Sequence, residues 1–327
     1  VSAGAAPALV HHTVRVPATT ANLGPGFDAF GMALELHLAV RSVPRAPGAP
    51  RVTSRGEGAE DLSTGDDNLV WTSLVAFCAE RGVAVPDVAL EVVNRIPLER
   101  GLGSSSAAIV AGLVLARDLT GERVGEPELV RLADAIEGHP DNVAPAIVGG
   151  LVACARGADG VPVVRRIDPL PTGGPVVCVP ESRQSTREAR AVLPDGLARA
   201  AVAEQAARAG HVLGALAGWW PVEPSLAGDL LHEPARLEVM RASGALVAEL
   251  RGLGVHAWLS GAGPTVAATV AHGDDEELAR VAAAAERHGF ACLATAWDLA
   301  GAVSCPDDGC ALAGSGGCAR CPREALR

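Results

Sequence analysis

The 327-residue chain contains no lysine and no tyrosine, and aromatic residues make up only 3% of it. All 27 of its basic side chains are therefore arginines. A Walker A loop, which needs a lysine on the phosphates, is excluded on that ground. With 38 acidic residues the formal charge is −11, so no nucleic-acid partner is expected, since such a surface needs a basic patch with stacking aromatics. No apolar run approaches the roughly 20 residues that span a bilayer. The opening VSAGAAPALVHH also lacks the charged start and apolar centre of a secretory signal. The expectation is a cytoplasmic protein with no membrane partner. Of eight cysteines, Cys78, Cys154, Cys178 and Cys292 stand singly among apolar residues, as buried reduced thiols do. A hydrophobic content of 49% supplies a core for one large domain or two ordinary ones, and a small-molecule enzyme suits the whole composition better than a binding surface.

What the chain does have is a glycine-turned loop feeding three serines into a long apolar segment, IPLERGLGSSSAAIVAGLVLARDL over 96–119. Gly101 and Gly103 can take positive φ angles, and Ser104, Ser105 and Ser106 are candidate N-caps. The first amides of such a helix have no partner within it, and its aligned dipoles put about half a positive charge there. A phosphate is the natural occupant. A Rossmann fingerprint is disfavoured, because Ser106 stands where the third glycine belongs and Arg95, Pro97 and two charged residues part the loop from the apolar run 88–93. The loop read alone also allows a plain serine-capped core helix.

Strand-like segments fall at 13–18, 32–43, 88–93, 148–155, 161–167, 174–180 and 290–297, and helical spacing at 68–81, 104–119, 126–137, 196–218 and 275–288. Three further clusters interrupt this pattern. TTANLGPGFDAFGMAL sets Asn22 and Asp28 at the rim of a turn, which Asx hydrogen bonds alone would explain. EGHPDN gathers Glu137, His139, Asp141 and Asn142 just past a helix. SGAGPT, from Ser260, makes a second glycine-rich turn between strands. A Ser/His/Asp hydrolase lacks its G-x-S-x-G elbow. The order of elements predicts two α+β domains with a break near 180–195: an N-terminal extension over 1–12, an N-terminal domain over 13–185, a C-terminal domain over 186–303, and a cysteine-containing tail over 304–327.

Taken in order, PATTANLGPGFDAFGMAL, PLERGLGSSSAA, EGHPDNVAPAIVGG and SGAGPT resemble the GHMP kinase family over about residues 10–300, and HPDNVAP with LHEPAR points to its homoserine-phosphorylating branch. The resemblance implies a two-domain α+β fold, with a left-handed βαβ crossover in the N-terminal domain and a ferredoxin-like C-terminal domain around a shared cleft. It implies ATP and Mg²⁺ as cofactors and L-homoserine as the acceptor, phosphorylated on its hydroxyl toward threonine. Carried across by motif, Pro97, Leu98, Glu99, Arg100, Gly101, Leu102, Gly103, Ser104, Ser105, Ser106 and Ala107 would wrap the nucleotide phosphates. Asn68 would lie near adenine, and Ser105 with Glu137 would hold Mg²⁺. Asn22, Asp28, His139, Asn142, Arg190 and Arg236 would bind homoserine, with Asp28 accepting from its ammonium and the two arginines gripping its carboxylate. A homodimer is implied by the same resemblance and by nothing in the spacing.

Relatives in that family carry a catalytic aspartate where this chain offers Asn142, so a strong general base is not expected. Direct in-line attack, with Asn142 and Thr186 orienting the hydroxyl and Glu137 holding the metal, is the implied mechanism. Another small-alcohol kinase and a catalytically inactive binding protein of the same fold are the alternatives. Past residue 303, Cys305, Cys310, Cys318 and Cys321 could enclose a zinc, but the Gly/Ser/Ala filling reads rather as a flexible extension.

Overall fold

The computed structural model describes residues 11–167 and 173–306. The chain begins with two long antiparallel strands, β1 (His12–Asn22) and β2 (Gly26–Pro44), joined by the tight turn Leu23–Pro25. After β3 (Val52–Gly56), helix α1 (Leu69–Arg81) crosses back to β4 (Val88–Asn94), which lies parallel to β3. Helices α2 (Ser104–Thr120), α3 (Glu126–Glu137) and α4 (Pro140–Val148) follow, then the hairpin β5 (Leu151–Arg156) and β6 (Pro162–Ile167). The remaining elements are β7 (Gly173–Pro180), α5 (Thr186–Ala191), α6 (Arg199–Leu216), α7 (Glu233–Val239), α8 (Arg241–Gly252), β8 (His256–Leu259), β9 (Val266–Ala271), α9 (Asp275–Arg287), β10 (Phe290–Ala294) and β11 (Val303–Pro306).

Two sheets organise them. The first runs β11-β1-β2-β4-β3, and β5 with β6 extends it from the amino-terminal half of β2. The second runs β10-β7-β9-β8, antiparallel throughout, and its order together with the β7–α8–β8–β9–α9–β10 connectivity is that of a ferredoxin-like βαββαβ unit. Helix α2 is buried over most of its circumference (Ile109, Val110, Leu113, Val114 and Leu115), as expected of a helix packed between a sheet and other helices. Helices α8 and α9 supply Leu246, Leu250, Val281 and Ala285 to a separate core under the second sheet. Among the described residues no helix is long and apolar enough to cross a membrane.

The expected break at 185/186 differs from the sheets at both ends. Strand β7, expected with the N-terminal domain, pairs with β9 and β10, and β11 returns to pair with β1 in the first sheet. The segment 304–327, expected as one flexible tail, therefore starts inside a strand. Cys305 is buried opposite Thr13. Cys310, Cys318 and Cys321 lie outside the described residues.

Candidate active site

The glycine loop before α2 is held by its backbone. Gly101 and Gly103 have φ of 74° and 68°, in the left-handed region that L side chains resist. A Cβ on Gly103 would lie 2.0 Å from Thr19 Oγ1, and one on Gly101 would lie 2.1 Å from the Ser260 carbonyl oxygen. The close approach is used: the Thr19 amide donates to the Leu102 carbonyl at 3.1 Å, and Ser260 Oγ donates to the Gly101 carbonyl at 2.7 Å. Gly103 itself is the N-cap of α2, with no side-chain capping bond. The expectation that Ser104–Ser106 cap the helix is corrected accordingly: they form its first turn. A glycine cap leaves the leading amides open, whereas a serine cap would occupy one. Ser105 and Ser106 instead donate their hydroxyls to Glu137 Oε1 at 2.8 and 2.9 Å.

A cleft with about 840 Å³ of unfilled space lies against this end. The first turns of α2, α4 and α5 all line it, so three helix dipoles contribute positive potential to one cavity. Sequence patterning missed α4, placing EGHPDN only as a polar cluster just past the helix over 126–137. The residues begin a helix because Pro140 sits at its first position, where no amide donor is needed. His139 precedes it, and its Nδ1 bonds Asp141 Oδ1 at 2.7 Å. Burial opposes the imidazolium, but the hydrogen bond and charge of Asp141, with Glu137, outweigh it and hold the His139 pKa above its ordinary value. Asn142 accepts the Thr19 hydroxyl on Oδ1 at 2.8 Å, and its Nδ2 lies 3.4 Å from Asp141 Oδ1. Thr186, the first residue of α5, lines the cleft beside its cap Ser185.

The cleft also holds a charged cluster. Arg190 donates to both Asp28 oxygens, at 2.7 and 3.0 Å. This departs from the expected division, in which Asp28 and Arg190 face opposite ends of one ligand. Arg236 is only 2% exposed. Its Nε donates to the Ala189 carbonyl and one terminal nitrogen to the Gly261 carbonyl, both at 3.0 Å, while burial and the Arg190 charge bring its pKa down to about 10. Phe27, which motif reading passed over, lies under both guanidinium groups, 5.7 Å from Arg190 and 5.3 Å from Arg236. Asn22 frames the turn: its Nδ2 donates to the Gly261 carbonyl at 2.9 Å and its Oδ1 accepts the Asp28 amide at 3.2 Å.

Beside the cleft lies an apolar slot with about 890 Å³ of unfilled space, lined by Leu38, Leu62, Leu69, Val92 and Leu98, and the two cavities share Glu99, Ser104 and Ser105. Asn68 lines the slot while capping α1, its Oδ1 accepting the Val70 amide at 3.0 Å. An apolar slot that opens onto the amino end of a helix is an arrangement that can take an apolar base beside its phosphates.

Comparison with known proteins agrees with this layout. The family model for the GHMP kinases N terminal domain matches residues 68–150, and that for the GHMP kinases C terminal domain matches residues 223–290. A homoserine kinase from Synechococcus sp. is 41% identical over 259 residues, 78% of this chain and 84% of its own. The chain belongs to the GHMP kinase family. A homoserine kinase from Moorella thermoacetica is 40% identical over 281 residues, covering 85% of this GHMP kinase and 94% of its own length. A solved structure from Listeria monocytogenes, assigned as a homoserine kinase, superposes with a TM-score of 0.70 at 29% identity, covering 90% of this chain and 99% of that one.

Not every residue of the 97–107 loop faces the cleft of this GHMP kinase. Leu102 and Ala107 are buried in the core and anchor the loop from behind. Pro97 is not among the residues lining either cavity. The Arg100 guanidinium donates to the Pro180 and Glu181 carbonyls at 2.8 Å each, so its charge is committed to the end of β7. Asp141 is the residue that sequence reading saw and assigned no role. Its signal was its place in the first turn after His139, where it orders both neighbours.

Proposed function

We propose that this GHMP kinase transfers the γ-phosphoryl group of ATP to the side-chain hydroxyl of L-homoserine, giving O-phospho-L-homoserine. One observation carries the reading: a single cavity contains both the uncapped amino end of α2 and the cluster Asp28, Arg190 and Arg236. The first suits a polyphosphate, and the second suits a free amino acid. The names of the curated relatives point to the same acceptor.

In this reading adenine occupies the apolar slot beside Asn68, and the phosphates lie against the amides of residues 103–106. Arrival of homoserine exchanges the Asp28–Arg190 pair for two ligand contacts, ammonium on Asp28 and carboxylate on Arg190 and Arg236. Each protein charge then keeps a partner, which avoids the cost of an uncompensated buried charge. Glu137 with the Ser105 and Ser106 hydroxyls is an all-oxygen set that fits Mg²⁺. Mg²⁺ commonly relies on one or two carboxylates, with phosphates and water completing its shell. Bound there, Mg²⁺ would neutralise charge on the β- and γ-phosphates.

Asn142 cannot act as a base. Its Oδ1 is engaged by Thr19, which turns the amide nitrogen, a donor only, toward its other neighbours. The amide therefore orients the hydroxyl together with Thr186, and phosphoryl transfer through a loose transition state proceeds by alignment and charge stabilisation.

The test is ADP release from purified protein with ATP and Mg²⁺, comparing L-homoserine, no acceptor, and a panel of small alcohols. Release that depends on homoserine is expected. Release with a different alcohol alone would overturn the acceptor, and no release with any acceptor would overturn the kinase reading.

A further inference from the structure

Strands β7 and β10 place Cys178 and Cys292 directly opposite each other. Directly opposed residues of an antiparallel pair have Cα atoms about 4.5 or 5.5 Å apart, and disulfides span about 4.4–6.8 Å between Cα atoms. The register alone therefore permits a bond. The register sets the two thiols against each other, and each bears on the other's titration, raising the Cys178 pKa and lowering that of Cys292. Their exposures differ in a useful way. Cys178 is fully buried in the core under the second sheet, whereas Cys292, on edge strand β10, is half-buried at the margin of that core.

We propose that Cys178 and Cys292 form an oxidisable dithiol that peroxide converts into a cross-strand disulfide, a reversible clamp between the edge strand and β7. The half-buried Cys292 thiolate attacks a peroxide oxygen. The S–O bond forms as the O–O bond breaks, and the departing hydroxide leaves as water with the thiol proton. The Cys178 sulfur then attacks the sulfenic sulfur, the S–S bond forms as the S–O bond breaks, and the second oxygen leaves as water with the Cys178 proton. Two thiols lose two electrons and two protons, and one hydroperoxide is reduced to two waters. A reactive, partly exposed thiol beside a resolving partner is the arrangement this chemistry requires. The clamp also sits on the strand that steadies the glycine loop, since two residues along from Cys178 the Pro180 carbonyl receives Arg100.

The full chain is treated with hydrogen peroxide, remaining thiols are blocked with N-ethylmaleimide, and the protein is digested without reductant for mass spectrometry. The expected product is a linked peptide pair containing Cys178 and Cys292, lighter than the two thiol peptides by two hydrogens and separated by dithiothreitol. In the Cys178→Ala variant, Cys292 should instead be trapped by dimedone as its sulfenic acid. Recovery of both cysteines as maleimide adducts after the protein's other thiols have reacted, or of Cys292 as a sulfinic acid with Cys178 still a thiol, overturns the proposal. Because the decisive reading comes from the unmutated chain, a folding defect in the variant does not affect it.

Discussion

Asp28 and Arg190 are bonded to each other across 162 residues of sequence, and their pairing makes each available as a replaceable partner for a zwitterion. In the proposed reading, Asp28→Asn removes the acceptor for the homoserine ammonium. A hydrogen bond to a charged group is worth about 1.5–3 kcal/mol, or roughly 10- to 150-fold in affinity. Steady-state kinetics should show a homoserine KM raised by about that factor with the KM for ATP little changed; an equal rise in both would place Asp28 outside the acceptor site. The His139–Asp141 pair makes a second prediction. Because the folded-state pKa of His139 is raised above 6.5, its contribution to stability is fully present below that value and is lost as pH rises through the folded pKa. The difference in unfolding free energy between wild type and Asp141→Asn, measured by urea denaturation, should therefore narrow as pH increases from below 6.5. A constant gap would mean the histidine is not held in its charged form. The types of these residues were readable in the motifs, but the bonds between them were not. Nothing in PGFDAF or TREARA says that an aspartate after one turn and an arginine on a later helix are partners before any ligand arrives.

At the scale of elements, the proposed function rests on the start of α2. Gly103→Ala adds a Cβ 2.0 Å from Thr19 Oγ1 at a φ of 68°, and the left-handed conformation alone costs a non-glycine residue about 1–2 kcal/mol. The variant should lose thermal stability and weaken ATP binding at least about tenfold in calorimetry, because relieving the clash moves the loop and the amides together. ATP binding at wild-type strength would contradict the phosphate assignment. Helix α2 was legible because glycines bracket it and its interior is apolar on every side. Helix α4 was not, since it is nine residues long with proline at its first position and again at Pro145, two features that usually mark a loop. Strand β3 was hidden for the opposite reason. VTSRG buries only Val52, so the alternation that announces a half-buried strand is missing.

Across the whole molecule, the chain crosses between its two sheets more often than a linear division suggests. A sequence split near 185 is natural, since strands precede it and a helical stretch follows, but strand pairing depends on long-range register that local pattern does not encode. The return of β11 to β1 joins the last described residues to the first, and Cys305 is buried there. Truncation after Ala302 removes that ladder and uncovers the edge of β1, so the melting temperature should fall by several degrees, since each 1 kcal/mol costs a large domain about 2–4 °C. An unchanged transition in a thermal scan would show that β11 adds nothing to the first sheet. The net charge of −11 suggests a poor host for a nucleotide, yet the site offers helix ends and arginines. Whole-chain charge therefore says nothing about a local anion site.

The most direct measurement is a structure of the ternary complex with a non-hydrolysable ATP analogue, Mg²⁺ and L-homoserine. The account predicts the phosphates against the amides of residues 103–106, the amino group on Asp28, the carboxylate on Arg190 and Arg236, and the hydroxyl in line with the terminal phosphate beside Asn142 and Thr186. Phosphates bound away from the amino end of α2, or an acceptor outside the cleft that contains it, would contradict the account.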